Sequence, residues 1–242
     1  MIASLSIIFP VFNEELRLKS SFNHIKNFLR KKKKFKTEII FVDDGSKDNS
    51  YNLIEKYIKE TKKNKKINMK IIKSKNNLGK GHALKMGVKK AKYDWILTTD
   101  IDMSVSLFQF LNWIEKKLVT KKYLVYFGSR SHEKSIVKKK FIRDILGNIM
   151  RFFVSTALNI KIKDTQCGYK LYKKKIAKII FSKMKNYGFD HDLELILILK
   201  SKNIKIKELP VKWIHKDNSR LNIFWDPVKM LLEIFTIKIR YL

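Results

Sequence analysis

The chain opens on an apolar run of strand length, LSIIFPVF at residues 5–12, too short and too continuous for an amphipathic helix. Asn13 then stands where a helix cap belongs, and Leu16, Leu18, Phe22, Ile25 and Phe28/Leu29 mark one face of the helix that follows. EIIFV at 38–42 predicts a second, buried strand ending in Asp43-Asp44-Gly45-Ser46, and the next helix turns Leu53, Ile54, Tyr57 and Ile58 inward. Met69–Lys73 is a third, short strand. The turn NNLGKG at 76–81 opens a helix carrying Ala83, Leu84, Gly87, Val88 and Ala91. Trp95–Thr99 is a fourth strand, ending at Asp100-Ile101-Asp102. Strand and helix thus alternate across short loops, which predicts an α/β fold: an open, mostly parallel central sheet flanked by helices, with ligands at the carboxyl ends of the strands.

Tyr123–Gly128 continues as a fifth strand, after which the alternation breaks. Positions 141/142, 145/146, 149/150, 153/154 and 157/158 are nearly all apolar, the signature of a long amphipathic helix over 141–160. Ile204–Trp213 reads as a strand with one slip in its alternation. Asp226-Pro227 supplies an N-cap and an N1 proline for a final helix bearing Met230, Leu231, Ile234, Phe235 and Ile237, with Lys229, Lys238 and Arg240 among them. Each of these two helices suits either the core or a membrane interface, and at least one is expected at the interface, where basic side chains beside an apolar face meet anionic lipid. No repeat or Gly/Pro-rich linker divides the chain, so 1–242 is expected to be a single domain.

Composition narrows the function. With 45% hydrophobic and 12% aromatic residues the chain can bury a core, which argues against disorder. The single cysteine, Cys167, excludes an internal disulfide and reads as a small buried side chain. No apolar run of about 18 residues is free of charge, so no spanning helix is expected. The N-terminus lacks a basic stretch before its apolar run, so no signal peptide is expected either. Lys and Arg total 54 against 22 Asp and Glu, a net charge of +32. Only seven of the 54 are Arg, the residue that reads bases and phosphates bidentately, so specific nucleic-acid binding is not expected. The Lys31–Lys34 and Lys62–Lys66 patches read as solvated surface. The field as a whole raises the local concentration of anions such as nucleotide sugars, lipid phosphates or an acidic membrane face.

Candidate chemistry gathers at the strand ends. Pro10-Val11-Phe12-Asn13-Glu14, Asp43-Asp44-Gly45-Ser46-Lys47-Asp48, Asn77-Leu78-Gly79-Lys80-Gly81 and Asp100-Ile101-Asp102 share one edge of a parallel sheet. This set suits a nucleoside diphosphate sugar. Two carboxylates at i and i+2 hold one Mg2+ or Mn2+ that takes its other ligands from phosphate oxygens and water, with Asp102 as main ligand and Asp100 facing the ion or the ribose. Asp43 and Glu14 suit hydrogen bonds from ribose hydroxyls or the base. Asp44, Ser46 and Asp48 fit either ligand contact or helix capping. Gly79-Lys80-Gly81 lets backbone approach an anion at a helix start, with Lys80 a candidate contact, but no Ser/Thr pattern follows it, which excludes a P-loop. His24, His82, His132, His191 and His215 show no metal-ligand spacing with Cys167.

FPVFNEE, VDDGSKDNS, NNLGKGHALKMG and TTDID resemble the nucleotide-sugar half of family 2 (GT-A, Rossmann-like) glycosyltransferases. GSR at 128–130, DTQCGYKLY at 164–172, HDLEL at 191–195 and the tail from Ser219 resemble polyprenyl-phosphate glycosyltransferases, dolichyl-phosphate β-glucosyltransferase foremost, with dolichyl-phosphate mannosyltransferase a near relative. The resemblance implies a nucleotide-sugar lobe over 1–130 and an acceptor lobe over 131–242. It implies inverting transfer of a hexose, glucose from UDP-glucose, onto a dolichyl or undecaprenyl phosphate, with GDP-mannose as donor or a saccharide as acceptor the alternatives. Pro10, Phe12, Asn13, Glu14, Asp43, Asp44, Ser46, Lys80, Asp100 and Ile101 would bind the donor, and Asp100 and Asp102 the Mg2+ or Mn2+. Arg130, Arg143 and Arg220, with Lys170 a further candidate, would bind the acceptor phosphate, while Arg17, Arg30 and Arg240 read as surface. Asp102, Asp164 and Asp192 would be catalytic. A phosphomonoester is already largely deprotonated at neutral pH, so a strong general base is not obligatory. Asp164 would then orient a hydroxyl or simply make an Asx-turn, and Asp192 and Glu194 would orient substrate or serve their helix start. The location expected is cytoplasmic, peripheral at the membrane face.

Overall fold

Residues on a strand point alternately to its two faces, and here both faces are covered by helices. A computed structural model of the chain describes residues 2–32, 35–62, 68–138, 160–188 and 191–216, together with 156, 158, 236, 237, 240 and 241. Strand β1 (Ser4–Val11) runs into helix α1 (Glu15–Lys31), β2 (Lys36–Asp43) into α2 (Ser50–Lys62), and β3 (Asn68–Lys73) into α3 (Lys80–Lys90). There follow β4 (Trp95–Thr98), α4 (Phe108–Glu115), β5 (Val125–Ser129) and β6 (Ile136–Lys138). The chain continues through β7 (Lys170–Lys173), α5 (Lys174–Lys183), α6 (His191–Ser201), β8 (Ile206–Pro210) and β9 (Lys212–Ile214).

Seven strands form one sheet in the order β3-β2-β1-β4-β7-β5-β8, and β6 pairs with β9 in a second, two-stranded sheet. Of the seven, β7 alone runs antiparallel to its neighbours β4 and β5. Leu5, Ile7, Phe9 and Val11 of β1, with Ile39 and Phe41 of β2, pack on Leu18, Ile25 and Phe28 of α1, Ile54 of α2 and Phe110 and Trp113 of α4. Ile8, Ile40 and Val42 face the other way, onto Ala83 and Val88 of α3, beyond which lie Ala177 and Ile180 of α5 and Leu193 to Leu199 of α6. α6 is buried along nearly its whole length, which explains a helix apolar on every side.

The four N-terminal strands and the fifth form where expected, and the α/β architecture of a mostly parallel central sheet flanked by helices stands. Two expectations need correction. Leu16 is 89% exposed; α1 buries Leu18, Ser21, Ile25 and Phe28, and at 100° per residue Leu16 lies on the far side of that stripe. The segment 204–213 is two strands in different sheets, its slip being the point where the chain leaves one sheet for the other. The DTQCG turn expected at 164–168 leads into β7, which inserts between β4 and β5. Residues from both halves of the chain thereby share one sheet. Most of the helices expected over 141–160 and 227–240 lies outside the described residues; Leu158, Ile160 and Ile237 are buried in the core. Among the described residues no helix is long and apolar enough to cross a membrane.

Candidate active site at the carboxyl edge of the sheet

Parallel pairing of β1 with β2 and β4, and of β2 with β3, brings all four loops to one edge. The first two are laced together. Asn13 sits at a φ of 49°, and its Oδ1 accepts the Lys47 N–H at 2.7 Å while its own N–H donates to Ser46 Oγ at 2.8 Å. The Glu14 and Glu15 N–H groups donate to Ser50 Oγ at 2.7 Å and Asp48 Oδ2 at 3.1 Å. The α1 cap residue is therefore Glu14, not Asn13, and it has no side-chain cap; the orphan donors at this helix start are satisfied by the neighbouring loop. Ser46 likewise cross-links loops, whereas Asp48 Oδ1 also accepts the Ser50 N–H at 3.0 Å at the head of α2. Pro10 and Phe12 are half-buried at the end of β1, and the Glu14 carboxylate meets Arg17 at 3.1 Å. Ile101 is buried, and its carbonyl accepts the Ser21 hydroxyl.

The adjacent carboxylates of β2 divide their work. Asp44 caps no helix: it accepts the Gly79 N–H at 2.7 Å and the Leu78 N–H at 3.3 Å, pinning the third loop. Asp43 is fully buried, with Oδ2 3.4 Å from the Ser46 N–H and Oδ1 without a hydrogen-bond partner among the described residues. A buried, unpartnered carboxylate oxygen is costly, and a base N–H or ribose hydroxyl is the kind of donor that satisfies it.

Gly79, at a φ of 105°, admits no side chain, because a Cβ there would run into the Tyr187 carbonyl. Next to it, Lys80 Nζ lies 2.5 Å from Asp100 Oδ1. Burial draws the Lys80 ammonium's pKa down, but Asp100, Asp192 and Asp102 together outweigh it and hold the group charged. Of the three carboxylates that favour the Lys80 charge, Asp100 is the one in direct contact. Both Asp102 oxygens accept from Ser104, at 2.8 Å from its N–H and 2.8 Å from its hydroxyl. Gly168 lies against Asp100, with no room for a Cβ beside that carboxylate. No group of three or more His, Cys, Asp or Glu among the described residues is arranged to hold a metal ion. Asp100 and Asp102 are an oxygen-only pair, both part-exposed with the Asp100 side chain at 39%, and this fits an ion that completes its shell with phosphate and water.

The β7 reversal delivers the second half of the site. Thr98 of β4 pairs with Lys170, so residues 164–170 arrive at the same edge as Asp100. Arg130, just past β5, grips Asp164 through Nε and Nη2, each at 2.8 Å, and donates its backbone N–H to the same carboxylate at 2.8 Å. Asp164 has no exposure and Arg130 is 20% exposed. Burial pushes the Asp164 carboxyl up, but Arg130 more than reverses this and holds it below its ordinary value. Asp164 also accepts the Gln166 N–H at 3.3 Å, the Asx-turn contact. The Arg130 guanidinium lies 5.9 Å from the Trp213 ring.

Lys170, a further candidate for the acceptor phosphate, is 1% exposed, 2.6 Å from Asp192 Oδ2 and 3.1 Å from the Thr165 carbonyl. Asp192 Oδ1 also lies 3.2 Å from His191 Nε2. Burial alone would raise the Asp192 pKa; His191 and Lys170 overcome it, leaving the carboxyl well below its usual range. Asp192 is thus an ion-pair partner, more than a helix-start dipole. Arg143 and Arg220 lie outside the described residues. Sequence reasoning missed His191 and Trp213 beside the site and the burial of Glu194, which follow from how α6 and β9 pack rather than from local periodicity. It read Cys167 correctly: burial and Asp164 push its thiol up to about 11.

The sequence model of the family described as Glycosyl transferase family 2 matches residues 6–181. A dolichyl-phosphate β-glucosyltransferase of Dictyostelium discoideum is 35% identical over 98% of this chain and 75% of its own length. The Homo sapiens protein of the same name is 32% identical over 98% of this chain and 76% of its own. Among solved structures, the Mycobacterium tuberculosis glucosyl-3-phosphoglycerate synthase in complex with Mn2+, UDP and glucosyl-3-phosphoglycerate superposes with a TM-score of 0.68 at 13% identity, covering 98% of this chain and 80% of that one.

Proposed function

The chain belongs to glycosyl transferase family 2, and from that premise we propose that it moves glucose from UDP-glucose onto the phosphate of a polyprenol, dolichyl phosphate or a close analogue. The observation that carries this reading is the Lys80–Asp100 ion pair on the sheet edge that also bears Asp102 and Asp43, whose buried Oδ1 has no hydrogen-bond partner among the described residues. Whole-length similarity to dolichyl-phosphate β-glucosyltransferases supports the choice of sugar and acceptor.

Asp43 takes a hydrogen bond from the uridine, and Glu14 is its proposed neighbour at the ribose. Asp100 and Asp102 would hold a divalent ion, Mg2+ or Mn2+, which would supply charge neutralisation for the departing diphosphate. Lys80 brings a second cation to the same oxygens; its bond to Asp100 keeps the ammonium in place. The acceptor phosphate enters already ionised, so no residue need remove a proton from it. Asp164 and Asp192 are poor bases in any case, each held ionised by neighbouring cations. Their proposed role is to orient: Asp164 fixes Arg130, and Asp192 fixes Lys170 and adds to the field at Lys80. Arg143 and Arg220 are the remaining proposed ligands of the acceptor phosphate. The basic surface and the two apolar helices expected at 141–160 and 227–240 suit peripheral membrane contact.

The test is a thermal-shift screen of UDP-glucose, UDP-galactose and GDP-mannose with and without Mn2+, followed by transfer of labelled glucose to polyprenyl phosphate. Stabilisation by UDP-glucose that requires Mn2+ and disappears in Asp102→Ala is the expected result. Stabilisation by GDP-mannose alone would sink the donor assignment, and label confined to water-soluble product would sink the acceptor.

A further inference from the structure

We infer that Glu194 is a positioning residue for the donor site, tying the turn that carries Lys80 to the last residues of the chain. This rests on the reading of Lys80 as a donor contact. Glu194 lies in the first turn of α6 yet has no exposure. A carboxylate there to complement a helix dipole would sit in water; a buried one needs partners. Glu194 has four. Its Oε2 accepts the Lys185 N–H at 2.9 Å and the Asn186 N–H at 2.6 Å. Its Oε1 accepts the Tyr241 hydroxyl at 2.8 Å and Arg240 Nη1 at 3.3 Å. Burial and the bond to Glu194 push the Tyr241 phenol up to about 12. Tyr241 therefore stays protonated and donating at neutral pH.

The 184–188 segment held by Glu194 is the wall against which α3 begins. The Tyr187 carbonyl accepts the Gly81 N–H at 2.9 Å. Gly79 lies directly against that carbonyl, and a Cβ at Gly81 would come within 3.0 Å of Tyr187 Cα. Two further contacts clamp the segment to α3: Lys85 Nζ donates to the Met184 carbonyl at 2.7 Å, and the His82 and Tyr187 rings meet at 5.2 Å. Lys80 lies between Gly79 and Gly81, so its reach to Asp100 depends on this wall. The path runs from Tyr241 and Arg240 through Glu194 to the 185 and 186 amides, then by the Tyr187 carbonyl to Gly81. Loss of its central carboxylate removes the acceptor that two backbone donors share, and that loosens the segment rather than the sheet. Binding of donor then requires the segment to be re-ordered, at the expense of affinity.

The experiment uses the full chain with Glu194→Ala, Glu194→Gln and Tyr241→Phe. Backbone hydrogen exchange of the ligand-free protein is read at Gly81, Lys185 and Asn186, with β1 as internal reference, alongside UDP affinity in Mn2+ and the KM and kcat for UDP-glucose. In Glu194→Ala, protection at the three amides should fall about tenfold or more while β1 is unchanged, the loss of one buried hydrogen-bonded carboxylate. UDP affinity should weaken and KM rise by a similar factor, with kcat nearly unchanged. Glu194→Gln, which still offers an oxygen to the two amides, should recover most of the protection. Tyr241→Phe, at a half-exposed position, should act in the same direction by about threefold, and it decides the matter if Glu194→Ala does not fold. Unchanged Gly81 protection in Tyr241→Phe and in a folded Glu194 variant overturns the inference. If wild-type protein fails to bind UDP while the exchange differences appear, the coupling stands and the donor reading falls.

Discussion

Replacing Asp164 by alanine removes the acceptor for three Arg130 donors at once, each at 2.8 Å. It also leaves a guanidinium that is only 20% exposed without its counter-charge. Removing one member of a buried ion pair costs about 3–5 kcal/mol. Residual solvent access at Arg130 places this case toward the lower end, about 3 kcal/mol. That is a large part of the roughly 5–15 kcal/mol that holds a domain folded. Urea unfolding followed by tryptophan fluorescence reads it directly; with a slope of about 2–3 kcal/mol/M the midpoint moves down by about 1 M. The double variant Arg130→Met/Asp164→Leu should regain most of the loss, since no charge is then left unpaired. The pH dependence has a definite sign. The folded pKa of Asp164 is depressed, so its contribution is present above the unfolded value of about 3.9 and is lost as pH falls through the folded one. Below about pH 4 the wild type should therefore lose stability more steeply than Asp164→Asn. An Asp164→Ala protein within about 0.5 kcal/mol of wild type that has nonetheless lost sugar transfer would refute this reasoning and return the pair to direct catalysis.

Asp43→Asn removes a buried carboxylate whose Oδ1 has no partner among the described residues, so folding stability should hold or rise while UDP affinity measured by calorimetry falls about tenfold or more. Gly79→Ala meets both an unfavourable φ of 105° and the Tyr187 carbonyl; we expect the midpoint of thermal unfolding to drop by a few degrees and UDP binding to weaken, the cost being about 1–3 kcal/mol. Cys167 is buried, with a thiol pushed up to about 11, so iodoacetamide at pH 7.5 should label it only as fast as the protein opens, and fast labelling of folded protein would contradict that burial.

The apolar runs at 5–12, 38–42 and 95–99 could become strands only by being covered on both faces, and the polar clusters closing them had to share an edge once the strands lay parallel. For that reason residues 1–102 disclosed four strands of the sheet and which candidate donor residues share an edge: Asp43, Lys80, Asp100 and Asp102 lie there. The order of local elements contained no comparable guide to the second half. Nothing in DTQCGYKLY says that its last residues slot antiparallel between β4 and β5, and without that step Lys170 looks like one surface lysine among many. Its burial against Asp192, the grip of Arg130 on Asp164 and the four-way hold on Glu194 join residues 22, 34 and up to 47 positions apart. Local periodicity reports which face of an element is apolar; it carries no information about which charges will meet once the faces are buried. That choice belongs to tertiary packing, because a carboxylate leaves water only where the fold supplies the cations and donors that compensate it.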